Sequence, residues 1–264
     1  MGEAGKRNSA LSHERKKKLI LVVDGDAAHL YYTGILLQRL DYTIHTVKTA
    51  DDALEIMNVA SPMLVLTETS LPGTNGLELL KRIKRSPRTA QVPVIVYSQF
   101  DNASMRDACM REGCAAFLQK PIVPEVLYAV IQGSVESRPR RYIRLSTCLS
   151  MIVGDEASGA KPREDNHITA LSENGVFINT SSPGEVGTKL TLTIFLGEAA
   201  IRVEGVVLYS FKPGEGPSHE PGMGIKFSRI SPGDQLFIRE YIRKELTQEL
   251  PVTGSGAEGA SCRT

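Results

Sequence analysis

Five side chains in the first half of this sequence have the types and placement needed to handle a phosphoryl group. Asp24 and Asp26 follow the apolar run "LILVV", Glu68 closes "LVLTE", Ser98 closes "VPVIVYS", and Lys120 precedes Pro121. Each stands at the end of a strand-length stretch. Acids gathered at one sheet edge would hold Mg²⁺, while a lysine and a hydroxyl would bind phosphoryl oxygens. Any one of these residues alone reads as an ordinary turn or cap residue. Their recurrence at successive strand ends points to a site.

A second group of chemistry-bearing residues lies in "SVESRPRRYIRL", which places Arg138, Arg140, Arg141 and Arg144 within seven positions. Guanidinium groups this close repel one another unless an anion or solvent intervenes. Arginine binds phosphate through two parallel hydrogen bonds and can grip the O6 and N7 edge of guanine. Tyr142 offers a stacking face among them, or packs beneath the domain that follows. A solvated linker is the plainer reading of the same charges. Further on, "ALSENGVFINTS" marks a tight turn between Ser172 and Gly175 ahead of a strand.

The elements that must position these residues differ between the two halves. From Leu19 to about Gly133, "LILVV", "TIHTV", "MLVLT" and "VPVIVYS" are short β-branched runs separated by helical patterns. Leu30, Leu37 and Leu40 share one helical face, as do Leu79 and Ile83. Five such repeats predict a doubly wound parallel sheet covered by helices on both sides, with the site at the carboxyl ends of the strands. After the arginine-rich stretch, "GVFINTS", "KLTLTIFL", "IRVEGVVLYSF" and "GMGIKF" are strands without helices between them. They predict a small antiparallel β-barrel. A terminal helix starts at Ser231 as N-cap, with Pro232 in its first turn and Asp234 three residues after the cap. The expected division is a disordered basic tail at 1–17, an α/β domain at 18–134, a β-barrel domain at 135–248 entered by an arginine-rich linker at 135–144, and a disordered tail at 249–264.

Composition narrows the function. The chain has 264 residues, 41% hydrophobic and 23% charged, with net charge +1. That balance argues against a protein built wholesale for nucleic acid. The four cysteines have no metal-ligand spacing and read as free thiols in a reducing, cytoplasmic setting. No apolar run approaches the roughly 20 residues of a membrane span. The basic start "MGEAGKRNSALSHERKKK" leads into no signal-peptide apolar region, and Lys6 stands where a myristoylation signal wants Ser or Thr. No nucleophile–base pair, zinc motif or phosphate loop suggests an enzyme. No helix-turn-helix follows the first domain, so DNA is not an expected partner, and neither is membrane insertion.

The stretches "ILVVDGD", "LVLTETSLPGTNGLELLKRIK", "VPVIVYS" and "GCAAFLQKPI" make residues 18–134 resemble a response-regulator receiver domain, the CheY-like fold. The resemblance implies an acidic pair for Mg²⁺ after the first strand, a phosphoacceptor at the end of the third, and a switch built from Ser98, Phe117 and Lys120. Glu68 falls at the phosphoacceptor position and Gly25 at the position of the second acid. Phosphoryl transfer depends on in-line positioning and charge neutralisation, and a misplacement of about 1 Å can cost on the order of 100-fold. No useful phosphorylation is therefore expected, and the metal role of Asp24 and Asp26 is expected to be weak or vestigial. Glu68 either imitates the phosphorylated state or is an inert residue in a domain kept as an interaction platform; the platform reading is preferred.

Residues 136–248 resemble the PilZ domain, a barrel receptor for the bacterial second messenger cyclic di-GMP. Arg140 and Arg144 fit its Arg-x-x-x-Arg motif, with Arg141 between them. Ser172 and Gly175 fit Asp/Asn-x-Ser-x-x-Gly, and "PGMGIKFSRISPGD" fits the closing strand and helix start. Ala170 stands where that motif has its acidic or amide side chain, with Asp165 and Asn166 nearby as compensating acceptors. The two resemblances together imply a non-enzymatic signalling adaptor. It would bind cyclic di-GMP, require no cofactor, and dock a signalling or motility protein through its receiver-like half. Two alternatives stand beside it: a nucleotide-free scaffold, and a response regulator still controlled by phosphorylation.

Overall fold

A computed structural model describes residues 19–100, 102–154, 166–215 and 221–248. The tails expected at 1–17 and 249–264 lie outside the described residues, as does Asp165. The chain divides into two compact units, one built from residues 19–38 and 42–123, the other from 39–41 and 124–246.

In the first unit the β-branched runs become the parallel strands β1 (Leu19–Val23), β2 (Thr43–Val47), β3 (Leu64–Glu68), β6 (Val94–Ser98) and β7 (Ala116–Gln119). They are ordered β2-β1-β3-β6-β7. The central strands β3 and β6 are buried along their whole length, as strands covered on both faces must be. The crossovers are α1 (Ala27–Arg39), α2 (Ala50–Val59), α3 (Gly76–Arg85) and α4 (Ala103–Arg111). Side-chain oxygens of Thr49, Asn75 and Asn102 accept from backbone N–H groups in the first turns of α2, α3 and α4, which fixes where these helices start. On α3, Leu79, Leu80 and Ile83 are fully buried in the core beside Val65, Val94 and Val96. Each such side chain stabilises the unit by roughly 1.5–3 kcal/mol. A short hairpin, β4 (Ser70–Leu71) with β5 (Thr74–Asn75), turns through Gly73 at φ +74°.

Parallel register brings the reactive strand ends level. Val23 pairs with Thr67, Glu68 with Tyr97, and Ser98 with Gln119. Gly76 opens α3 directly against β3: a Cβ there would lie 2.1 Å from the Glu68 carbonyl oxygen.

The second unit contains α5 (Pro124–Val135), a closed antiparallel barrel and a final helix, α6 (Pro232–Thr247). The strands are β8 (Leu145–Val153), β9 (His167–Ser172), β10 (Gly175–Asn179), β11 (Lys189–Leu196), β12 (Ala199–Phe211) and β13 (Gly222–Arg229), in the order β10-β13-β12-β11-β8-β9. β8 and β9 are not among the strand runs that stand out in the sequence, because polar residues interrupt their apolar ones. Alternation turns Leu171, Val176, Ile225 and Val207 inward, where they are buried. Ser231 caps α6, accepting from the Asp234 backbone N–H at 3.0 Å and donating to its carboxylate at 2.7 Å. Ile238, Ile242 and Leu246 form the buried face of that helix, while Phe237 remains exposed.

Candidate functional site

At the carboxyl edge of the parallel sheet, Lys120 reaches across to both acids. Its ammonium lies 2.7 Å from Asp24 Oδ2, 2.5 Å from Glu68 Oε2 and 2.9 Å from His29 Nδ1. An ammonium has three donors, so these three contacts saturate it. Lysine can only donate, so His29 Nδ1 is the acceptor in this contact. The ammonium also sits 4.4 Å from the centre of the Tyr97 ring. The Tyr97 hydroxyl donates to Asp24 Oδ2 at 2.9 Å. Burial, and then the neighbouring Asp24 charge, push that phenol well above its usual range. Glu68 Oε1 accepts from the backbone N–H and the hydroxyl of Thr69, at 2.7 and 2.6 Å. The same hydroxyl lies 2.9 Å from Ser98 Oγ. Glu68 thus draws Lys120 directly, and Ser98 through Thr69, into one network. Phe117 packs against the core with the Arg106 guanidinium 5.5 Å from its ring centre.

The residues present do not fit a resident divalent cation. Asp24 and Glu68 are already neutralised by the Lys120 ammonium they share. Asp26 Oδ1 instead caps α1, accepting from the backbone of Ala28 and His29 at 2.8 and 3.0 Å. The His29 backbone donor holds its carboxyl below the ordinary range. An acid at position 25 would meet the Pro72 ring, whose Cδ lies 2.9 Å from where its Cβ must go. Among the described residues no group of three or more His, Cys, Asp or Glu is placed to hold a metal ion.

On the barrel, a pocket of about 270 Å³ brings the arginine-rich lead-in against β9, β10, β12 and β13. Arg140, Arg141 and Arg144 line it together with Ser172, Gly175 and Lys226, and among the described residues no carboxylate lines it. The backbone N–H of Arg140 donates to Gln132 Oε1 at 3.1 Å, which anchors the lead-in. The Arg141 guanidinium lies 5.4 Å from the Tyr142 ring centre. Ser172 donates to the Gly175 carbonyl at 3.0 Å, closing the turn between β9 and β10. Gly175 admits no side chain, since a Cβ would lie 2.3 Å from the Ile225 carbonyl oxygen. Residues inside the turn are tied to α6: Gln235 donates to Asn174 Oδ1 at 2.9 Å, and Arg239 pairs with Glu173 at 2.8 Å.

Comparison with known families assigns both halves. Residues 20–132 match the response regulator receiver domain, and residues 138–244 match the PilZ domain. The chain is a receiver domain followed by a PilZ domain. The receiver aligns with the two-component response regulator ORR6 of rice (Oryza sativa subsp. japonica), 32% identical over 40% of this chain and 64% of the relative. It also aligns with the two-component response regulator-like APRR1 of Arabidopsis thaliana, 30% identical over 41% of this chain and 18% of that relative. The chain therefore spans less than two thirds of either. The solved receiver domain of NtrX from Brucella abortus superposes with TM-score 0.43 and 29% identity, over 45% of this chain and 99% of that one. Receiver and PilZ domains are non-catalytic signalling domains. Among the described residues no helix is long and apolar enough to cross a membrane.

The receiver brings Asp24, Glu68, Ser98 and Lys120 together, and leaves Asp26 at a helix cap and Phe117 in the core margin. The PilZ domain gathers Arg140, Arg141, Arg144, Ser172 and Gly175 around one pocket, which Arg138 does not line. Asn166 lies four residues along the chain from Ala170, roughly 13 Å in an extended strand, and is not a lining residue. Sequence reasoning missed His29, Thr69 and Tyr97 in the receiver, and Phe177, Tyr209 and Lys226 on the barrel. A signal existed for the barrel residues. In "GMGIKF" the two-residue period sets Gly222, Gly224 and Lys226 on the face opposite Met223, Ile225 and Phe227.

Proposed function

We propose that this protein is a non-enzymatic signalling adaptor that binds cyclic di-GMP through its PilZ domain and uses its receiver as a phosphorylation-independent platform for a signalling or motility protein. The carrying observation is the barrel pocket, where Arg140, Arg141, Arg144 and Lys226 converge beside the Ser172–Gly175 turn with no acid among the described lining residues. Two phosphates and two guanines need that combination of guanidinium forks and net positive charge. The ligand site belongs to the domain proposed at 135–248, entered by the segment 135–144. Titration calorimetry of the full chain with cyclic di-GMP should give micromolar binding, with GTP as the control. Absence of heat at high ligand concentration would leave the nucleotide-free scaffold as the better account.

The receiver half of the reading rests on Lys120. Its three donors already serve Asp24, Glu68 and His29, so an incoming phosphoryl group meets no free ammonium. Glu68 at the phosphoacceptor position, with the switch positions Ser98, Phe117 and Lys120 settled around it, then acts as a fixed structural anchor. Incubation with a small phosphodonor and Mg²⁺ should add no mass to the intact protein. A stoichiometric gain that disappears in Glu68→Gln would restore the phosphorylated-regulator alternative. The reading assigns the protein to the cytoplasm, supported by the free thiols of Cys109, Cys114 and the exposed Cys148.

A further inference from the structure

Pairing register lines up Ala170 on β9, Phe177 on β10, Gly224 on β13 and Tyr209 on β12 as one row across the outside of the barrel. The next row, two residues along, is Ser172, Gly175 and Lys226. Strand geometry separates the rows by roughly 7 Å. One row is therefore cationic and turn-bound, the other aromatic and apolar. Tyr209 lies flat over Gly224, where a Cβ would come within 2.2 Å of its Cζ, and Phe177 covers Gly222 in the same way. Phe177 and Tyr209 are 6.2 Å apart with planes 24° from parallel, and Phe211 is tilted against both, 5.4 Å from Tyr209 and 6.4 Å from Phe177. All three rings stay half-exposed. The glycines thus hold a flat aromatic surface open beside the arginines, and Phe177 and Tyr209 line the pocket itself.

Resting on the ligand reading above, we propose that Tyr209 and Phe177 form a base-stacking shelf that holds a purine of the cyclic dinucleotide, in place of the hydrogen-bond acceptor absent at Ala170. The methyl group of Ala170 cannot accept from the N–H edge of guanine, and the Asn174 amide oxygen already accepts from Gln235. Grip on the base then comes from its face. Stacking tolerates any base because every base has a π face, whereas an acceptor for guanine's N–H edge rejects a base that lacks those donors.

The test is calorimetry on the full chain with cyclic di-GMP and its adenine counterpart, cyclic di-AMP. Tyr209→Leu should weaken cyclic di-GMP binding about 5- to 150-fold, and Tyr209→Phe should keep it within about threefold. Ala170→Asp should recover part of the affinity lost in Tyr209→Leu and raise the guanine-over-adenine preference about tenfold or more. Should Tyr209→Leu bind like the parent while Arg140→Ala does not, the shelf is wrong and the ligand reading survives. If neither the parent nor Ala170→Asp binds any cyclic dinucleotide, both fall. Should Tyr209→Leu fail to fold, the preference measured in the parent and in Ala170→Asp decides: no change in it refutes the shelf.

Discussion

Replacing Arg140 or Arg144 by alanine is expected to remove cyclic di-GMP binding at ordinary ligand concentrations. Arg140 and Arg144 both line the barrel pocket, and among the described lining residues no carboxylate competes with a phosphate for them. Truncating one partner of a desolvated charged contact costs about 2–4 kcal/mol, because the other partner is left without its hydrogen bonds. That is a loss of about 30- to 1,000-fold in affinity, enough to carry a micromolar site out of reach. Arg138→Ala is the internal control, since Arg138 does not line the pocket and its change should be small. Calorimetry on the three variants checks the ordering. Binding by Arg140→Ala and Arg144→Ala that matches the parent would remove the arginines from the site.

The largest stability effect is expected at Lys120. Its ammonium bridges two carboxylates, Asp24 and Glu68, that are themselves buried. Substituting methionine keeps the stem and removes the charge, so two like charges face each other without compensation. Breaking a buried ion pair from one side costs about 3–5 kcal/mol. A domain of this size should then melt more than about 10 °C lower. Glu68→Gln in the same chain should recover a substantial part of the loss, because it removes one of the two stranded charges. The double-mutant cycle measures that coupling directly. Should Lys120→Met melt within a degree or two of the parent, the bridge contributes nothing and Lys120 is free to serve another role.

Gly25 and Gly76 show how the receiver site is tied to its frame. Pro72 closes the space beside Gly25, and the Glu68 carbonyl closes the space beside Gly76. Changing residue 25 to an acid therefore does not simply supply a metal ligand; the loop carrying Pro72 has to move as well.

Much of this protein was determined by its sequence alone, and for local reasons. The β-branched runs, the capping residue Ser231, and the change of period after the arginine-rich stretch are all short-range signals, so the two fold classes were legible. The acids, hydroxyl and lysine at strand ends were legible too, because strand ends can be read from the chain. What only the tertiary structure decided is who meets whom. Lys120 finds Asp24 across 96 positions and Tyr97 finds Asp24 across 73, through parallel register that no local pattern encodes. The contacts of His29 with Lys120 and of Thr69 with Ser98 were hidden for the same reason. On the barrel, Phe177, Tyr209 and Lys226 alternate visibly along their own strands. Their assembly into adjacent aromatic and cationic rows depends on the pairing of β10, β12 and β13. A shift of one residue in that pairing would turn each of them to the other face.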